Sequence, residues 1–301
     1  MSNLRKFQRF HGATVPSRYM SGSPTFSVEF FPPKDEAGEG RLWEALAAFA
    51  DCPPDFASVT YGAGGSSRDR TIRITSAITA RTGIPTIAHL TCVGSTKAEL
   101  EKILQQYADS GIKSILALRG DPQGGPEADW ISTPNGFDHA DQLVSLARQS
   151  GFEVGVAAFP DGHPASKGDF AKDVEVLLEK ERRGASFATT QFFFDVNKYF
   201  ALNQKLTAAD SKLSLYPGIL PITNISQLNR MAQLSGTPIP NSVRERISQH
   251  ELDPVSLREA GIEIAVEICQ ELLGGGVPGL HFYTMNSAAS TKEIIKRIGL
   301  R

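Results

Sequence analysis

The sequence predicts an α/β fold, a (β/α)8 TIM barrel, and three observations lead to it. Eight strand-like segments alternate with helix-like ones along the chain, the order of a parallel sheet wrapped by helices. Most of these strands end on a polar residue able to do chemistry, and the carboxyl ends of barrel strands form the active face. The length, 301 residues, is normal for one such barrel.

Taken in order, residues 26–31 (FSVEFF) carry Glu29, 56–61 (FASVTY) end on Thr60 and Tyr61, and 85–90 (PTIAHL) present His89. Residues 113–118 run into Arg119-Gly120-Asp121, and 153–159 run through Phe159 toward His163. Residues 187–194 hold Gln191, 213–220 lead to Gln227, and 281–285 close the series. Between them, Thr96-x-x-Glu99 is a capping-box pattern ahead of Leu100, Ile103, Leu104 and Tyr107 at helical spacing, with Gly111 past the end. Phe170, Val174, Leu177 and Leu178 form a similar stripe that stops at Gly184, and residues 255–273 are the longest helical candidate. One-sided stripes of this kind suit helices packed on the outside of a barrel. Residues 121–136 are too polar and too rich in Gly and Pro for an element and predict a long loop after the fourth strand; 237–254 predict a short helical insertion. Residues 1–22 are expected to form an N-terminal extension with a lead-in helix, and 23–301 a single catalytic barrel.

Composition narrows the function. The chain is 41% hydrophobic and 21% charged, with 31 basic against 33 acidic residues and a formal net charge of -2. Without a basic run or acidic tail, neither nucleic acid nor a membrane is an expected partner. Three scattered cysteines without C-x-x-C spacing read as reduced thiols, and Cys92 as a small buried residue. No segment has the length and apolarity of a membrane span or a signal peptide, so a cytoplasmic location is expected.

Several residues are suited to chemistry. Glu29 lies in an apolar strand, V-E-F-F-P-P, whose neighbours are expected to raise its pKa toward that of a useful general acid; a structural carboxylate paired inside the barrel is the equal alternative. Tyr61-Gly62-Ala63-Gly64-Gly65-Ser66-Ser67 is a poor dinucleotide fingerprint, with Ser67 at the third glycine position, but a plausible tight loop for backbone approach to a flat or phosphorylated ligand. Arg119-Gly120-Asp121 reads either as a charged hinge or as a turn with a local ion pair. His89, His163 and Asp121 match no familiar metal-ligand spacing, and no metal is expected. Gln191 beside Phe192-Phe193-Phe194 would suit a planar heterocycle, though aromatic runs are usually core. Without G-x-S-x-G, P-loop or Cys/His nucleophile patterns, carboxylates, amides and aromatics together favour redox or proton-transfer chemistry on an aromatic cofactor.

Eight motifs, V-E-F-F-P-P, V-T-Y-G-A-G-G-S, H-L-T-C, L-A-L-R-G-D, F-P-D-G-H-P, T-Q-F-F-F-D, P-G-I-L-P-I-T-N and H-F-Y-T-M-N, occur in this order. In them the chain resembles the bacterial 5,10-methylenetetrahydrofolate reductase family from about Ser23 onward. The resemblance implies an FAD-containing barrel that oxidises NADH or NADPH and reduces methylenetetrahydrofolate to 5-methyltetrahydrofolate, feeding methionine synthesis, and often a homo-oligomer. It implies catalytic roles for Glu29, as the acid that protonates N10 of the folate, and for Asp121, near flavin and pterin. Flavin contacts are implied at Tyr61, Ala63, His89, Arg119, Gly120, Asp121, His139, Ala140, Phe159, His163, Asp173 and Lys180. Substrate contacts are implied at Thr60, Asp121, Gln191 and Gln227. Five positions depart from the family pattern: His139 and Phe159 stand at tyrosines, Val176 at an asparagine, Met231 at a phenylalanine and Ser287 at an arginine. Two other readings stay open, a flavin-independent reductase and a folate-binding barrel without turnover.

Overall fold

Eight parallel strands close on themselves in sequence order. They are β1 (Thr25–Phe30), β2 (Phe56–Val59), β3 (Thr86–Thr91), β4 (Ser114–Leu118), β5 (Glu153–Ala158), β6 (Phe187–Phe192), β7 (Ser214–Ile219) and β8 (Gly279–Tyr283). The computed structural model describes residues 23–61, 68–122 and 128–301. The expected N-terminal extension, Ala63 and most of its loop lie outside the described residues. The helices are α1 (Glu36–Ala48), α2 (Arg68–Thr82), α3 (Lys97–Asp109), α4 (Ala140–Gln149), α5 (Phe170–Arg182), α6 (Val196–Ala208), α7 (Ile225–Ser235), α8 (Asn241–Ser248), α9 (Pro254–Gly274) and α10 (Ala289–Arg297). This is the expected (β/α)8 barrel, with α8 as the inserted helix.

Side-chain alternation along each strand builds two cores. Val28, Phe30, Val59, Leu90, Ile115, Val154 and Val156 point outward and join the buried faces of the surrounding helices. Phe56, Ile87, Leu116, Phe187 and Tyr216 point inward and fill the barrel. Their rings meet edge-on, Phe56 to Phe187 at 6.5 Å and Phe56 to Tyr216 at 6.0 Å between centroids. Such packing needs gaps on the facing strands. Gly155 supplies one, since a Cβ there would lie 2.2 Å from the Phe187 ring. A smaller apolar cluster under α7, α8 and α9 includes Ile222, Leu228, Ile239, Val243 and Ile247.

The capping box forms as expected: the Thr96 N–H donates to Glu99 Oε2 at 2.8 Å, and the Glu99 N–H donates to Thr96 Oγ1 at 3.3 Å. Behind it Leu100, Ile103, Leu104 and Tyr107 are buried. The loop after β4 folds back on this helix start, where the Lys97 N–H donates to the Asn135 carbonyl at 2.8 Å. β1 and β8 meet in register, Ser27 with His281 and Glu29 with Tyr283. Side chains reinforce that seam. Thr284 Oγ1 donates to the Glu29 carbonyl at 2.6 Å, and the Asn286 amide both accepts from the Phe31 N–H at 2.8 Å and donates to its carbonyl at 3.0 Å. Met285 and Asn286 turn back through positive φ, 50° and 58°, a strained region that asparagine tolerates better than most residues. Among the described residues, no helix is long and apolar enough to cross a membrane.

Candidate active site

The carboxyl ends of the strands surround a cleft of about 370 Å³, open to solvent. Glu29, Thr60, Tyr61, His89, Arg119, Gly120, Asp121, Gln191 and Tyr283 are among the residues that line it. A second groove, of about 390 Å³, adjoins it between α4 and α5 and is lined by His139, Ala140, Phe159, His163, Asp173, Val176 and Lys180. Arg119, Ala140, Ala157, Phe159, His163 and Lys180 line both, so the two spaces form one elongated site.

Glu29 faces the barrel axis with Ser27, while Val28 and Phe30 face the helices. Its neighbours in sequence are therefore not its neighbours in space. It is 5% exposed, and its carboxylate contacts all fall on one oxygen. Oε2 lies 3.4 Å from His281 Nε2, 3.5 Å from His89 Nε2, and 3.5 Å from the donating Ser58 hydroxyl. Burial pushes its pKa up, but the hydrogen bond from His281, the fields of His89 and His281, and the Ser58 hydroxyl outweigh burial and hold it below the ordinary value. This corrects the expectation of a raised pKa from apolar neighbours. His281 and Tyr283 escaped the sequence reading, although their i, i+2 spacing on the last strand places both inside. The Tyr283 hydroxyl donates to the Thr190 carbonyl at 2.7 Å, and burial holds the phenol in its neutral form.

The elongated groove carries a different chemistry. Lys180, 9% exposed, donates from Nζ to the Ala157 carbonyl at 3.3 Å. No carboxylate among the described residues lies within ion-pair distance of it. Burial, helped by Arg119, lowers its pKa to about 8 against the pull of Asp141 and Asp173. His163 is brought down to about 4 by burial, Arg119 and Lys180. Its Nδ1 accepts from the Ala165 N–H at 3.0 Å, and its ring meets Phe159 edge-on at 4.6 Å. Asp173 fixes the loop by accepting from the His163 N–H at 3.2 Å and the Ser166 hydroxyl at 2.5 Å. Arg119 does not pair with Asp121; its guanidinium lies 4.8 Å over the Trp130 ring, and Nε donates to the Gly120 carbonyl at 3.3 Å. A buried ammonium held low by burial and by a neighbouring guanidinium forms a site that an anionic group would relieve.

Asp121 is exposed at the lip of the cleft. Gln191 Oε1 accepts from the Phe192 N–H at 3.0 Å. Gln227 sits apart from both. It lines a smaller pocket with Arg258, Ser287 and Ser290, which among the described residues shares Tyr283 with the main cleft, and its Oε1 accepts from the Thr223 hydroxyl at 2.5 Å. No group of three or more metal-ligating residues gathers among the described residues. Cys92 is buried, its thiol pushed up to about 12, chiefly by burial.

Fold and site together define a barrel class in which a groove carrying Arg119 and Lys180 runs up to a buried carboxylate. The family model for methylenetetrahydrofolate reductase matches residues 14–299. The chain belongs to the methylenetetrahydrofolate reductase family. It is 37% identical over 284 residues to 5,10-methylenetetrahydrofolate reductase of Pectobacterium carotovorum subsp. carotovorum, covering 94% of this chain and 92% of that one. With the Escherichia coli (strain K12) protein of the same name it shares 35% identity over 284 residues, covering 94% and 93%. Methylenetetrahydrofolate reductase 1 of Schizosaccharomyces pombe is 36% identical over 92% of this chain, which spans 46% of that longer protein. Among solved structures, an uncharacterized protein from Clostridium thermocellum that binds two copies of 5-methyl-5,6,7,8-tetrahydrofolic acid has the same fold. Its TM-score is 0.69 at 13% identity, over 94% of this chain and 100% of that one.

Proposed function

We propose that this protein reduces 5,10-methylenetetrahydrofolate to 5-methyltetrahydrofolate, drawing electrons from NADH or NADPH through an FAD held in the elongated groove. The reaction follows from family membership over nearly the whole chain. The observation that carries the cofactor is the buried Lys180 ammonium with the Arg119 guanidinium and the neutral His163 imidazole near it, on a groove that continues into the cleft. A diphosphate is the anion that suits such a place, and Ala140, His139 and Asp173 would hold other parts of the cofactor. What FAD supplies when bound is two-electron redox chemistry between nicotinamide and folate.

The chain's own residues divide the remaining work. Thr60 and Gln191 line the open cleft and are suited to hold the nicotinamide and the pterin in turn. Glu29 gives the proton that N10 of the folate needs as its five-membered ring opens. Asp121, exposed at the lip, places a negative charge where the folate becomes cationic. Gln227, in the side pocket, suits the distal part of the folate.

Anaerobic mixing followed by visible absorbance tests the whole reading. Protein loaded with FAD should bleach with NADH or NADPH, and methylenetetrahydrofolate should restore the oxidised spectrum with formation of the methyl product. Product formation by protein that neither contains nor takes up FAD would overturn the cofactor assignment.

A further inference from the structure

The polar contacts of Glu29 continue away from the cleft. His281 is 1% exposed and does not line the cleft, so it touches Glu29 from behind. Its Nδ1 lies 2.7 Å from the Ser27 hydroxyl, and its Nε2 lies 3.4 Å from Glu29 Oε2. The ring stacks on Phe56, centroids 6.1 Å apart at 13°, and Tyr283 meets its edge at 5.5 Å. A neutral imidazole carries one ring proton, and the partner of one nitrogen fixes which nitrogen holds it. The single Ser27 hydroxyl proton has two acceptors in reach, His281 Nδ1 at 2.7 Å and the Leu280 carbonyl at 3.4 Å; given to the nearer one, it leaves the ring proton on Nε2, pointing at Glu29.

We propose that His281, its tautomer set by Ser27, is the positioning residue of the proton donor: it tethers Oε2 of Glu29, leaves Oε1 free for the ligand, and stabilises the carboxylate left behind. The step balances simply. The proton on the Glu29 carboxyl goes to N10 as the bond from N10 to the methylene carbon breaks, and the negative charge stays on Glu29. There it meets an N–H already directed at it, so little reorganisation is needed. This inference rests on Glu29 being the donor. The titratable groups facing Glu29 are His89 from β3 and His281 and Tyr283 from β8, with the Ser58 hydroxyl from β2.

The experiment compares His281→Leu, His281→Gln, Ser27→Ala and Glu29→Gln in the FAD-loaded protein, reading flavin reduction by NADH and reoxidation by methylenetetrahydrofolate against pH. Removing the N–H leaves burial dominant at Glu29, so the carboxyl keeps its proton to higher pH and releases it less readily. In His281→Leu, reoxidation should slow at least tenfold and its high-pH fall-off should move up by a pH unit or more, with flavin reduction within twofold of the parent. Ser27→Ala should move both in the same direction by less, and His281→Gln, whose amide N–H reaches the same place, should recover most of the rate. A second readout is independent of turnover. The infrared band of a protonated buried carboxyl, absent in Glu29→Gln, should persist to higher pH in His281→Leu than in the parent. An unmoved fall-off and band, or equal loss in both half-reactions, overturns the proposal. Rapid reoxidation of Glu29→Gln would instead overturn the donor assignment on which it rests.

Discussion

Glu29 has two oxygens in different surroundings: Oε2 receives its histidine and serine contacts from inside the barrel, while the carboxyl lines the cleft. Glu29→Gln keeps the shape but cannot release a proton. The variant should take up FAD and be bleached by NADH near the parent rate, while reoxidation by methylenetetrahydrofolate falls by about 100-fold or more in stopped-flow absorbance. The sign of the pH dependence follows from the lowered pKa. The proton-bearing form is the minor one at neutral pH, so folate reduction should slow as pH rises through neutrality. Asp121 is the contrasting carboxylate, exposed at the lip. Asp121→Asn should weaken folate reduction by about 2–4 kcal/mol of transition-state stabilisation, read as kcat/KM, with a smaller effect on flavin reduction. The sequence marked both residues because each interrupts or ends a strand. It misjudged the surroundings of Glu29, because the groups that outweigh burial there include His281, 252 positions away.

At the scale of elements, strand alternation places a wide ring inside the barrel only where a facing strand gives room. Gly218 on β7 does this at the active end: a Cβ there would lie 2.3 Å from the Thr190 carbonyl and 2.7 Å from the Tyr283 ring. Gly218→Ala should cost roughly 1–3 kcal/mol by overpacking, seen as a lower midpoint in urea unfolding. It should also slow folate reduction, because Tyr283 walls the cleft. The elements themselves were largely legible. The Thr96–Glu99 capping box, the helical stripes and the apolar strands follow from local spacing, which survives in one dimension. The inserted helix α8 was legible for the same reason. Contacts between loops were not. Arg119 stacks on Trp130 rather than pairing with Asp121, and Gln227 faces its own pocket, because both depend on how separate loops fold over the barrel mouth.

For the whole molecule, the cationic groove couples ligand binding to pH. Lys180 loses its proton in the free protein near 8 rather than at the usual 10.5. A bound diphosphate favours the charged form, so FAD affinity should stay level below about 8 and weaken as pH rises above it. Lys180→Gln should bind more weakly and lose that slope, both measurable by flavin fluorescence. Folding stability carries the opposite sign. His163 has its folded pKa depressed from 6.5 to about 4, so the unfolded chain binds more protons between these values, and stability of the free protein should rise with pH across that window. The seam between β1 and β8 governs something else, the order in which function appears in time. Glu29 emerges from the ribosome early, but its imidazole tether and the Thr284 and Asn286 stitches emerge last. The proton donor's surroundings are therefore complete only once β8 closes the barrel against β1.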